Sequence, residues 1–382
     1  MKSRIEWVGH NCRLLHRIST EFRQTRPFAG MTIGTGIHLE PKTVALILTL
    51  QAGGARLVST GNLNTTQQSA IDYLAARGVT VIGRPTRDRD EHQTYLRQVI
   101  AEKPDLILDN GGDLFCLYLD DRYEGLLGGT EETTSGRMRL AALRSVLSMP
   151  ILVINDSPIK QFAENEHAVG QSVLESYMRI TNRITNGQRV TVFGYGACGR
   201  GVAGNMRAAN AKVSVVDTDP LKRLQAHLDG YDTPKREEAI ASADFIVTVT
   251  GAGKVLGVDD MAHFKDGAIL ANAGHFPVEI DADAIATSDL VEARTAYEDG
   301  IESLRLRDGR TIHVISQGHM FNLAGPRPMG NSIESMDLGF ALQARSLEAI
   351  ARGLVSRDAC VVAVPRNIDE RVANAFLEAR YA

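Results

Sequence analysis

The sequence predicts an α/β fold of two doubly wound domains with parallel sheets, and three observations lead to it. Strand and helix patterns alternate twice along the chain, a long helical pattern separates the two series, and a glycine turn of the G-x-G-x-x-G type opens the second. A chain of 382 residues is also too long for one ordinary core.

The first series begins with "MTIGTGIHL", read as a strand, and "PKTVALILTLQAGG", a helix ended by glycine. Strand "ARLVST", helix "TQQSAIDYLAARG", strand "VTVIGR", helix "EHQTYLRQVIAEK" and strand "DLILDN" follow. The segment "MRLAALRSVL" with "PILVIND" adds one more helix–strand unit. Strands that alternate with helices in this way pair in parallel, with helices on both faces.

The helical pattern "GQSVLESYMRITNRI" leads into the second series. Its strands are "RVTVFGYG", "KVSVVDTD", "ADFIVTVTG", "AILANAG" and "TIHVISQG". The later helix "SIESMDLGFALQARSLEAIARG" comes too far along to join that sheet and is expected to return to the first domain.

Composition excludes several classes. Apolar residues make up 43% and charged residues 23%, an ordinary globular balance. A net charge of −4 supplies no basic field for nucleic acid or an anionic membrane. No apolar run approaches the roughly 18 residues of a membrane span. The start, "MKSRIEWVGHNCRLLHRI", is charged and lacks the apolar stretch of a secretory signal, so a cytoplasmic protein is expected. Cys12, Cys116, Cys198 and Cys360 are scattered without zinc spacing, so free thiols and no metal are expected.

In "TVFGYGACGRGVAGN" (191–205), Gly194, Gly196 and Gly199 stand between an apolar strand and a helix. Backbone N–H groups at such a helix start can face a pyrophosphate. Asp217 ends the next strand, 18 residues after Gly199. A carboxylate there accepts hydrogen bonds from a ribose 2′-OH and repels a 2′-phosphate, so a Rossmann-like domain holding NAD rather than NADP is expected.

Further blocks carry a resemblance. "VFGYGACGRGVA", "DNGGDL" (109–114), "EETTSG" (131–136), "VINDSPIK" (153–160), "GQS" (170–172), "GHFPVEID" (274–281), "FNLAG" (321–325) and "GIHLEPKT" (36–43) are similar to motifs of the S-adenosyl-L-homocysteine hydrolases. They occur in that family's order over most of the chain. The resemblance implies a split substrate-binding domain (1–165 and 326–382), an inserted NAD-binding Rossmann domain (166–325), and a homo-oligomer, tetramer or dimer.

It also implies a chemistry. Tightly held NAD oxidises the nucleoside 3′-OH, the ketone acidifies the C4′ proton, the 5′ substituent is expelled, water adds, and the hydride returns. By resemblance, Lys160 would assist deprotonation of the 3′-OH, Glu132 and Glu164 would bind the ribose hydroxyls, and His38 would serve the group at C5′. Asn110 stands where the family's "DDGGDL" has a second acid. Thr133, Thr134, Asn165, Thr248, His275 and Asn322 would line the nicotinamide and ribose side of NAD. Plainer roles stay open for single residues: Glu132 as a helix cap, Lys160 as a solvated loop lysine, His38 and His275 as satisfied histidines.

Four departures bear on activity. Asn110 cannot take a proton near neutral pH. Glu164 replaces an aspartate. "NLAGPRPMGNS" lacks the family's His-Pro-Ser loop, and "FLEARYA" lacks its lysine- and tyrosine-bearing tail, from which a weaker hold on NAD is expected. Glu40 and Lys42 also stand where animal-type relatives place threonine and glutamate against adenine. The leading expectation is therefore a divergent paralogue that acts on a modified nucleoside in specialised, natural-product metabolism. The alternatives are S-adenosyl-L-homocysteine hydrolase proper and a non-catalytic NAD-binding regulator.

Overall fold

The computed structural model describes residues 3–324 and 327–381. Contacts divide the chain into two compact units, Met1–Gln161 with Ile333–Ala382, and Phe162–Ser332. The chain passes from one to the other inside a π-helical segment, Lys160–Ala168. The boundary expected at 325/326 falls on Gly325 and Pro326, which lie outside the described residues, as does the last residue of "FNLAG".

In the first unit the strands are β1 (Thr32–Gly36), β2 (Arg56–Thr60), β3 (Thr80–Ile82), β4 (Leu106–Asp109), β5 (Gly128–Glu131) and β6 (Ile151–Val153), joined late in the chain by the short strand Val362–Ala363. All pair in parallel, in the order Val362–Ala363, β6, β5, β4, β1, β2, β3. The strand order reverses between β1 and β4. Crossovers there leave in opposite directions, so a crevice opens at the carboxyl ends of these two strands.

The helix Pro41–Ala52 shows why local sequence suffices for its elements. Pro41 supplies a fixed φ at the first turn, the Glu40 carboxylate accepts from the Lys42 and Thr43 N–H groups, and Gly53 ends the helix. The late helix, Ile333–Ala351, packs within this unit and is buried from Ser335 to Ile350. Its buried face includes charged groups that are paired: Asp337 accepts from the Leu14 and Leu15 N–H groups, and Arg345 pairs with Glu21 and Glu348.

The second unit holds β7 (Arg189–Phe193), β8 (Lys212–Val216), β9 (Phe245–Thr248), β10 (Ile269–Asn272), β11 (Val291–Ala296), β12 (Ile301–Leu306) and β13 (Thr311–Ile315). The order is β11, β12, β13, β10, β9, β7, β8. Five strands pair in parallel, and β12 alone runs the other way, pairing antiparallel with both β11 and β13. The expected parallel sheet thus carries an antiparallel edge. The outermost strand, β11, is mostly exposed, so it has no apolar run to announce it. The strand order reverses between β7 and β9, which makes a second crevice. Among the described residues no helix is long and apolar enough to cross a membrane.

Candidate functional site

In the first unit the carboxyl ends of β1, β2, β4 and β5 deliver one residue set. His38 follows β1, the loop Gly61–Thr66 follows β2, Asn110 follows β4, and Glu132 follows β5. Lys160 opens the π-helical segment.

These side chains form a hydrogen-bonded chain. The Lys160 ammonium lies 3.3 Å from Glu132 Oε1. Asn110 Nδ2 donates to Glu132 Oε2 at 2.8 Å. Asn62 Nδ2 donates to Asn110 Oδ1 at 2.9 Å. The direction of the Asn110 amide follows from its partner, because a carboxylate only accepts and must face the NH₂ end. Asn110, Glu132 and Lys160 are each about 5% exposed. Glu132 is therefore no helix cap: Thr133 caps the helix Thr134–Ala141, its hydroxyl accepting from Gly136 N. Lys160 is no solvated lysine either.

Beneath this chain, Asp109 and Glu131 stand in register on β4 and β5. Asp109 accepts from the Asn110 and Phe115 N–H groups. Glu131 accepts from the N–H groups of Gly111, Gly112 and Thr133 and from the Thr133 hydroxyl. Gly111 and Gly112 have φ of 112° and 77°, which turns their N–H groups toward Glu131. Burial pushes the Asp109 carboxyl well above its usual range, with the Glu131 charge adding to it. Burial likewise pushes Glu131 up to about 7. The "DNGGDL" and "EETTSG" blocks thus brace one another.

His38 is half-buried, and burial, with the positive charges of Lys160 and His92, pulls its imidazole down to about 4. Its ring is neutral at pH 7. Glu40 and Lys42, on the following turn, form a buried ion pair of 2.9 Å.

The second unit gathers the dinucleotide candidates at the carboxyl ends of β7 to β10. Gly194 has a φ of 99°, and a Cβ at Gly199 would overlap its carbonyl oxygen. A Cβ at Gly196 would meet nothing within 4 Å. The helix Ala197–Ala208 has no side-chain cap, and the turn at its start leaves open space beside Gly196. Asp217 is fixed at the end of β8 by the N–H groups of Tyr195 and Asp219. Asn322 is 3% exposed and donates to Ser172 Oγ, while its Oδ1 finds no partner among the described residues. A buried orphan acceptor, a glycine cradle and a fixed carboxylate together fit NAD.

Thr248 donates to Asn272 Oδ1 at 3.3 Å, and the His275 ring packs edge-on against Phe276. Asn165 lies in the π-helical segment with Glu164, whose Oε1 accepts from Asn331 Nδ2 at 3.4 Å. Thr134 opens its helix in the first unit. Among the described residues no group of three His, Cys, Asp or Glu side chains is placed to hold a metal ion.

Several residues of these sites carry no motif of their own. Asn62 and Thr65 sit in a loop that reads as an ordinary turn. The available signal was position, since both follow a strand next to the reversal point. Asn272 and Glu279 brace the second crevice: Asn272 Nδ2 donates to the Gly318 and Phe276 carbonyls, and Glu279 accepts from Thr250 N, Thr250 Oγ1 and Gly251 N.

Comparisons with known proteins agree with this layout. Residues 2–125 match the family described as S-adenosyl-L-homocysteine hydrolase, and residues 165–327 match its NAD binding domain. The chain is 37% identical over 381 residues to the adenosylhomocysteinase of Thermotoga maritima, covering 98% of this chain and 93% of that one. It is 37% identical over 386 residues to the S-inosyl-L-homocysteine hydrolase of Methanothermobacter thermautotrophicus, covering 99% and 91%. A similar match, 37% over 381 residues, covering 98% and 89%, joins it to the S-inosyl-L-homocysteine hydrolase of Methanopyrus kandleri.

Proposed function

Because the chain belongs to the S-adenosyl-L-homocysteine hydrolase family and carries its NAD-binding domain, we propose that it cleaves an S-nucleosyl-L-homocysteine to the nucleoside and homocysteine. The observation that carries this reading is the hydrogen-bonded chain Asn62–Asn110–Glu132–Lys160, with His38 in the same unit, at the reversal point of the first sheet. When bound, NAD supplies reversible hydride exchange at the sugar 3′-carbon.

The protein's own residues do the rest. Glu132 accepts from the sugar hydroxyls, and its pairing with Lys160 keeps a carboxylate in a dry pocket. Lys160 assists removal of the 3′-hydroxyl proton: its ammonium donates to the 3′ oxygen and stabilises the charge that develops there, while the Glu132 carboxylate accepts the proton and returns it at the end. Glu164 is assigned, with Glu132, to the nucleoside's ribose hydroxyls, and Thr133, Thr134, Asn165, Thr248, His275 and Asn322 to the nicotinamide and ribose side of NAD. Asn110 orients a hydroxyl but stores no proton. Proton traffic near C5′ therefore falls to His38, whose neutral ring can accept one.

The relatives' names favour this hydrolase reading over a divergent paralogue in specialised metabolism. A second reading of the base rests on Glu40 and Lys42. Glu40 already caps a helix and pairs with Lys42. The ammonium, a donor with three protons, suits the 6-oxo group of hypoxanthine better than the 6-amino group of adenine. Two of the relatives are named for S-inosyl-L-homocysteine.

Steady-state release of homocysteine from the S-adenosyl and S-inosyl compounds tests the reading. Release from either supports it, and a higher kcat/KM on the inosyl compound selects the second base. Reduction of NAD by another nucleoside without release from either compound returns the paralogue. Bound NAD that no nucleoside reduces leaves a regulator.

A further inference from the structure

The loop after β2 reaches His38. His38 Nδ1 lies 2.6 Å from Thr65 Oγ1. Thr65 Oγ1 also lies 3.3 Å from the Asn62 carbonyl oxygen. A hydroxyl has one proton to give, and a carbonyl oxygen only accepts. The two contacts coexist in one way: the threonine O–H points to the Asn62 carbonyl, and the threonine lone pair receives Nδ1–H. The loop has little freedom to do otherwise. Thr66 Oγ1 donates to the same Asn62 carbonyl at 2.9 Å. His92 Nε2 lies 3.0 Å from the Gly61 carbonyl and holds the loop from the other side. A side chain at Gly61 would overlap Thr66. Asn62 also points its amide at Asn110, so its backbone carbonyl and its side chain set two different orientations in one pocket.

We infer that Thr65 is a positioning residue that holds His38 in its Nδ1–H tautomer, so that Nε2 carries the lone pair that takes the proton of the water adding at C5′. The assignment rests on the proposed hydrolase reading for its chemistry, and on hydrogen-bond geometry alone for the tautomer. Free neutral imidazole prefers the proton on Nε2, so the reverse tautomer needs a partner on Nδ1, and Thr65 is that partner. Which ring nitrogen carries the proton matters because a base with its proton on the reacting nitrogen cannot accept another.

Holoprotein labelled with ¹⁵N in histidine gives the direct test. In the wild type, His38 shows a protonated, pyrrole-type Nδ1 and a pyridine-type Nε2. Thr65→Val loses that preference and releases homocysteine about 10²-fold more slowly, the low end of what a misplaced general base costs. Its single-turnover reduction of NAD stays near the wild-type rate, because 3′-oxidation does not pass through His38. Thr65→Ser keeps the hydroxyl and restores both the tautomer and the release. A pyridine-type Nδ1 in the wild type overturns the inference, whether or not the valine variant folds. So does a folded Thr65→Val with wild-type spectrum and release. Failure of the wild type to release homocysteine from any nucleosyl compound would instead remove the hydrolase reading and leave the tautomer to the spectrum.

Discussion

The Lys160 ammonium and the Glu132 carboxylate lie 3.3 Å apart, and each side chain is only 6% exposed. Neither charge has water to fall back on, so the pair works as a unit. Removing one partner of a buried pair typically costs about 3–5 kcal/mol. Lys160→Ala therefore lowers the melting temperature. It also slows NAD reduction by substrate by about 10²–10⁴-fold while the cofactor stays bound. Stopped-flow absorbance in the nicotinamide band, beside dialysis for bound NAD, checks both. Reduction at the wild-type rate would take Lys160 out of the reaction.

Asn110 donates to Glu132 at 2.8 Å, so Asn110→Asp places two carboxylates face to face. Like charges that close force one of them to hold a proton, which raises a pKa in the folded state above its unfolded value. A raised acid favours the folded state at low pH, and that advantage is lost as pH rises through the folded pKa. The variant is expected to be less stable than the wild type at pH 8, with the gap closing toward pH 5. Thermal melts across that range read the effect. A gap independent of pH would show that the introduced carboxylate turns away from Glu132.

His38 is pulled down to about 4 by burial and by the charges of Lys160 and His92. A depressed histidine stays neutral until the pH falls well below its unfolded value of about 6.5. The acid limb that His38 imposes on homocysteine release therefore lies near 4 to 5 rather than at 6.5. The unfolded chain takes up the proton first, from about 6.5, so stability falls as pH drops from there to about 4. A limb at 6.5 that disappears in His38→Asn would contradict the burial argument.

The glycine turn separates folding from cofactor binding. Gly196→Ala adds a methyl into open space, whereas Gly199→Ala drives one into the Gly194 carbonyl. The first variant should melt like the wild type without NAD yet bind it at least roughly tenfold more weakly, since the methyl takes room the pyrophosphate backbone approach requires. The second should lose stability outright. Calorimetric titration with NAD on both proteins decides. Unchanged affinity in Gly196→Ala would move the pyrophosphate elsewhere.

Legibility in the sequence followed the strength of the local pattern. The strands β4, β7 and β9 are apolar runs bounded by turns, and each stands where its run predicts. β5 is "GGTE", without a branched apolar run; its place comes from pairing with β4 and β6. The hairpin of β11 and β12 is half-exposed and polar, and only "EDG" between them marks the turn. The π-helical stretch Lys160–Ala168 has no composition that distinguishes it from an α-helix. His38, Asn110, Glu132 and Lys160 were readable through motifs they share with a family. Asn62 and Thr65 were not, because their part depends on which strand lies beside which, and strand order is absent from any local pattern.

On the proposed reading this chain oxidises a nucleoside at the 3′ position in order to release a 5′ thiol. One single-turnover experiment addresses it: mix NAD-loaded protein with S-adenosyl-L-homocysteine, or its inosyl counterpart, and record the nicotinamide band and free thiol together. The account predicts that absorbance rises before thiol appears and decays as the nucleoside leaves. Thiol release with no change in the band at any time would contradict it.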